Sequence, residues 1–132
     1  METPSTAGVE QAAAAIVQAF RANDRDAYFG AFSEDATFVF HPEQHRLNDR
    51  AAYENAWDGW RAAGWAVLDC VSRDALIQCY PGMAVFTHTV DTAVDPGDGS
   101  VERSTERETI VFRTEGDGLI AVHEHLSTVP GE

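Results

Sequence analysis

The sequence predicts an α+β domain, with three helices gathered early and long strands gathered late. Three observations carry that expectation. Apolar residues recur at helical spacing in three segments before residue 65. β-branched segments broken by "PG", "DPGDGS" and "EGDG" fill most of the chain beyond that point. At 132 residues the chain has room for one core and too few residues for two ordinary ones, so a single domain is expected. Helices and strands segregated in this way favour an antiparallel meander curled around the helices.

Residues 1–8 (METPSTAG) carry neither a basic start nor an apolar run, and a flexible tail is expected there, with the domain spanning 9–132. From Val9 to Asn23, apolar residues at Val9, Ala12, Ala13, Ile16, Val17 and Phe20 make one face of a helix. Asp24 or Asp26 offers a cap for a second, shorter helix with Tyr28, Phe29 and Phe32 as its stripe. "ATFVFHP" is β-rich and stops at Pro42, which has no N–H to give to a ladder. After a polar loop, RAAYENAWDGWRAAG sets Ala52, Ala56, Trp57 and Trp60 on one stripe and closes on Gly64, suited to a helix C-terminus. Strands are then expected over 65–80, 82–94, 101–114 and 118–129.

The 9 basic residues, all arginine, face 22 acidic ones and leave a net charge of -13. Such a field repels phosphate, which argues against nucleic acid and anionic membranes as partners. No apolar run approaches the roughly 18 residues of a membrane span, and a cytoplasmic location is expected. Cys70 and Cys79 lie in apolar segments without CxxC spacing, so reduced core thiols are expected.

A two-residue turn at Gly116 and Asp117 would set the register of the last hairpin. It places Phe112 opposite Ala121, Ile110 opposite His123, Glu108 opposite His125 and Glu106 opposite Ser127, all on one face because side chains alternate. Thr109, Val111, Ile120, Val122 and Leu126 fall on the other. Both faces are partly apolar, so alternation alone leaves open which one looks inward. The pairing gives His125 a carboxylate partner, the arrangement of an oriented general base; a structural ion pair is the plain alternative.

The order of elements, with "FSEDATFVFHP" and "RETIVFRTEGDGLIAVHEHLS", resembles the nuclear transport factor 2-like superfamily over nearly the whole chain, in its SnoaL-like and ketosteroid-isomerase-like branches. The ending "SVERSTERETIVFRTEGDGLIAVHEHLS" also resembles the association domain of calcium/calmodulin-dependent kinase, which assembles oligomers and is not an enzyme. The resemblance implies a cone: three N-terminal helices packed in a curved antiparallel sheet around one deep pocket. It also implies that the face bearing His123 and His125 points into that pocket.

Ile16, Trp57, Ile110 and Ser127 are then expected around a small-molecule ligand. In ketosteroid isomerase the base is an aspartate just before a proline at the end of the first strand, and here His41 precedes Pro42. The family's tyrosine and carboxylic acid donors fall on Ile16 and near Ile110, which argues against steroid isomerisation itself. The candidate catalytic set is His125 as base, Glu108 as its orienter, and His41 and His123 as second base or donor.

His123 and His125 could also chelate a metal with Glu108 or His41, but the resemblance implies neither a metal nor a cofactor. His45 reads as a loop residue and His88 as a surface or interface residue. The expected function is acid/base isomerisation or cyclisation of a carbonyl compound, the alternative a non-catalytic ligand-binding or oligomerisation module. Homodimerisation through the outer sheet face is expected in either case.

Overall fold

A computed structural model describes residues 1–131. It contains helices α1 (Thr6–Arg21), α2 (Arg25–Gly30) and α3 (Arg50–Ala62), and strands β1 (Phe32–Phe40), β2 (Ala66–Tyr80), β3 (Met83–Asp95), β4 (Glu102–Glu115) and β5 (Gly118–Thr128). The helix α1 starts three residues before Val9, because the Ser5 hydroxyl accepts the Gly8 N–H and caps it. Upstream of the cap, the Glu2 carbonyl accepts the Gly82 N–H and ties the N-terminal stretch to the turn between β2 and β3. At the other end, Asn23 adopts a left-handed φ of 55°. Its amide group brackets Val67, donating to the carbonyl at 2.9 Å and accepting the N–H at 2.8 Å.

Asp24 and Asp49 cap α2 and α3 by accepting the N–H groups of Ala27 and Ala52. Phe32, expected at the end of the α2 stripe, instead opens β1, since the helix stops at Gly30. The sheet order is β1-β5-β4-β3-β2. The strands from β2 to β5 form the expected antiparallel meander, and β1 joins β5 in parallel. Inside the curve Tyr28, Phe29, Phe32, Phe38, Tyr53 and Trp57 are buried in one aromatic core, packed largely edge-to-face with ring centroids such as 4.7 Å for Phe38 and Tyr53.

The last hairpin turns at Gly116 and Asp117, with Glu115 opposite Gly118 and Phe112 opposite Ala121 as the sequence suggests. Beyond that point one residue of β5, Val122, is bulged out of the ladder, and Val111 pairs with His123. Every later partner is displaced: Ile110 lies opposite Glu124, Thr109 opposite His125 and Glu108 opposite Leu126. Because side chains alternate, the displacement reverses the faces. Glu124 is buried and Leu126 turns toward the helices, whereas His125 is exposed. The expected pairing of Glu108 with His125 therefore does not form.

Candidate active site

A cavity of about 540 Å³ opens between the helices and the inner sheet face. Ile16, Val17 and Phe20 of α1 form one wall, and Trp60 of α3 with Trp65 extends it. Cys70 of β2 and Val90 and Thr92 of β3 face them. Glu108, Glu124, Tyr28 and Tyr53 sit at the buried end, and His41, Pro42, Glu43 and Glu102 border the open one.

The buried end is one continuous hydrogen-bond chain. Burial raises the Tyr28 and Tyr53 phenols well above their ordinary range, so both keep their protons. Tyr28 Oη–H donates to Glu124 Oε1 at 3.3 Å, and having one hydrogen it accepts that of Tyr53 at 2.9 Å. Glu124 and Glu108 are hydrogen-bonded to each other. Burial, and then the Glu108 charge, hold Glu124 well above the carboxylate range, so the shared proton belongs to Glu124. Burial also raises Glu108, up to about 7.

His88 reaches the same carboxylate from β3. It lies directly opposite Glu108, and its Nε2 is 2.7 Å from Oε1. Burial pushes its pKa down to about 4 despite the nearby Glu124 carboxyl. The ring is therefore neutral at pH 7 and carries one N–H. A carboxylate cannot donate, so Nε2–H points at Glu108 and Nδ1 accepts the Ser72 hydroxyl at 2.6 Å. Every donor in the chain is thus directed toward Glu108: Ser72 through His88 from one side, Tyr53 through Tyr28 and Glu124 from the other. No buried side-chain nitrogen or oxygen among the described residues is left without a partner.

The residues singled out in the sequence are dispersed by this geometry. Glu108 faces the cavity and Ile16 lines it. His41 stands at the opening, bound to Glu106. His125 is exposed on the outer face. His123 lies on that face too, with Nδ1 2.8 Å from the Thr37 hydroxyl, and burial followed by the neighbouring His125 lowers its pKa. Trp57 and Ile110 are buried in the core and do not line the cavity, while Ser127 is exposed away from it. His88, read as a surface or interface residue, is 4% exposed.

Glu124, Tyr28, Tyr53 and Ser72 were not among the candidate site residues of the sequence reading. The single available signal was a glutamate between two histidines in a strand, and it becomes informative only with the bulge in hand. Among the described residues no three His, Cys, Asp or Glu side chains converge for a metal ion. The Cys70 thiol, pushed up to about 11 mainly by burial, is protonated and no nucleophile at neutral pH.

Helices followed by a curved five-stranded sheet around a pocket define the cone of the nuclear transport factor 2-like proteins. Residues 9–131 match the SnoaL-like domain, and the chain belongs to that family. A nuclear transport factor 2-like protein from Cytophaga hutchinsonii superposes with a TM-score of 0.82 at 11% identity, over 96% of this chain and 99% of that one. A ketosteroid isomerase-like protein from Erwinia carotovora atroseptica gives 0.78 at 16% identity, over 93% and 95%. A protein from Exiguobacterium sibiricum, provisionally described as a Ca/calmodulin-dependent kinase II association domain, gives 0.79 at 14% identity, over 100% and 99%. At these identities the likeness concerns the fold alone. No curated protein matches the chain. Among the described residues no helix is long and apolar enough to cross a membrane.

Proposed function

We propose that the chain is a cofactor-free acid/base enzyme that moves a proton next to the carbonyl of a compact, largely apolar compound, with Glu108 as the base. One observation carries the reading: a buried pair of carboxyl groups closes an aromatic cavity, and every hydrogen bond around it runs toward Glu108. A carboxylate raised to about 7 is a stronger base than a free one and still ionised in good part at neutral pH. It takes the proton from the carbon beside the carbonyl. Glu108 then no longer needs the Glu124 O–H, which is released to donate to the enolate oxygen. Return of the proton to another carbon completes an isomerisation, and attack of the enolate on a second carbonyl, whose oxygen takes the proton from Glu108, completes an aldol cyclisation. Support for isomerase chemistry also comes from the description of the Erwinia relative.

The test is deuterium incorporation beside the carbonyl of β-tetralone in D₂O, followed by NMR. Exchange should rise as pH passes through about 7, where Glu108 ionises, and fall by about 100-fold or more in Glu108→Gln. Wild-type exchange no faster than buffer, or an undiminished rate in Glu108→Gln, would sink the proposal.

Self-association is proposed alongside it. Leu76, Tyr80 and Met83 are 61%, 46% and 38% exposed. Their ladder partners place them on the outer sheet face with Val85 and Val111. An apolar sheet face of this kind favours a second copy of the chain as its cover. Leu126, expected there too, belongs to the inner face. Light scattering at micromolar concentration should give a dimer mass, and a monomer would refute the assignment.

A further inference from the structure

The cavity is strongly biased in charge, and the bias is built along one strand. Inward-facing positions of β4 run from the open end to the core as Glu102, Ser104, Glu106 and Glu108. Exposure falls in that order, from Glu102 and Ser104 in solvent to Glu108 at 8%. At about 3.4 Å per residue they cover roughly 20 Å of wall. Glu43, from the loop after β1, adds another carboxylate at the opening. No arginine lines the cavity among the described residues. Its one lining side chain able to carry positive charge, His41, is held by Glu106. The Glu43 and Glu102 carboxylates have no side-chain partner among the described residues.

Aromatic rings face this acidic wall. Phe20, Phe40, Trp60 and Trp65 line the cavity, and ring faces attract cations as carboxylates do. An anion entering here would lose water and gain only repulsion. A cation would gain from both walls.

We propose that the ligand is an organic cation: a protonated amine held near the opening by Glu43 and Glu102, carried on an aromatic or polycyclic body whose carbonyl reaches Glu124 and whose adjacent carbon reaches Glu108. Carboxylates, phosphate esters and coenzyme A thioesters are excluded by the same charges. This assignment rests on the cavity being the substrate site, and its test separates the two.

Quenching of tryptophan fluorescence reads the binding of three probes sharing one ring system: anthracenylmethylamine, anthracenemethanol and anthracenecarboxylate. The amine should bind about tenfold more tightly than the alcohol at low ionic strength, and the carboxylate about tenfold more weakly. Added salt should narrow the spread. In the Glu43→Gln/Glu102→Gln double variant, whose fold is checked by circular dichroism, the amine-to-alcohol ratio should drop toward unity. If all three probes bind alike, or the ratio survives both the double substitution and salt, the cationic assignment falls while the cavity stands. If none binds, the cavity reading falls with it.

Discussion

Glu106 and Glu108 are two residues apart on the same face of β4 and each meets a histidine, yet the two contacts are different chemical objects. At the opening, His41 and Glu106 are 36% and 15% exposed. Water screens such a contact and holds its value to about 0–1 kcal/mol. At the buried end, the side chains of His88 and Glu108 are 0% and 10% exposed. Burial there disfavours both charges, so the histidine gives up its proton and the contact is a hydrogen bond from neutral imidazole to a strengthened base. One pair of residue types thus serves as a surface contact or as the support of a base, and access of water decides which.

The sharpest break between inner and outer positions is catalytic. Glu108→Gln should cost β-tetralone exchange about 100- to 10,000-fold, whereas His125→Ala, on the exposed outer face, should leave the rate within about twofold and stability within about 0.5 kcal/mol. A His125→Ala variant as inactive as Glu108→Gln would return the base to the outer histidines.

Stability gives the next largest contrast. His88→Ala removes a buried ring and strips donors and acceptors from Glu108 and Ser72, which should cost about 2–4 kcal/mol in urea unfolding. The matching His41→Ala change at the opening should stay within about 0.5 kcal/mol. Equal losses would mean that burial does not separate the two pairs.

The smallest effect is in pH dependence. Glu108 and Glu124 have folded values above the ordinary 4.5, so they stabilise the fold at low pH and lose that contribution as pH rises, for Glu108 through about 7. His88 has the opposite sign: its folded value of about 4 lies below 6.5, so its contribution grows with pH between those limits. The two slopes oppose each other below about pH 6.5 and leave only the falling one above it, at no more than about 1.4 kcal/mol per pH unit per proton. The melting temperature should therefore decline as pH rises past about 6.5, and less steeply in Glu124→Gln. A wild-type melting temperature that climbs over this range would show that the pair is ionised in the folded protein.

Much of the architecture was legible in local chemistry. Asp24 or Asp26 reads as a cap because a short acceptor before an apolar stripe satisfies open helix N–H groups, and Asp24 does so here. Gly116 and Asp117 read as a turn because a two-residue hairpin loop needs positive φ, and Gly116 has 58°. The site was legible only in part. Glu108 was found through a partner it does not have, while Glu124 was passed over between two more conspicuous histidines.

By itself, then, the sequence determined the order of elements, because capping, turn chemistry and periodicity act within a few residues, while the cone was implied by the family resemblance. The tertiary structure alone decided which side chains meet in the cavity. Bulging Val122 out of the ladder is chosen by how β5 packs between β1 and β4, and Val122 and His123 have no local preference that announces it. With a side-chain period of two, that one residue sends His123 and His125 outward and brings Glu124 in beside Glu108.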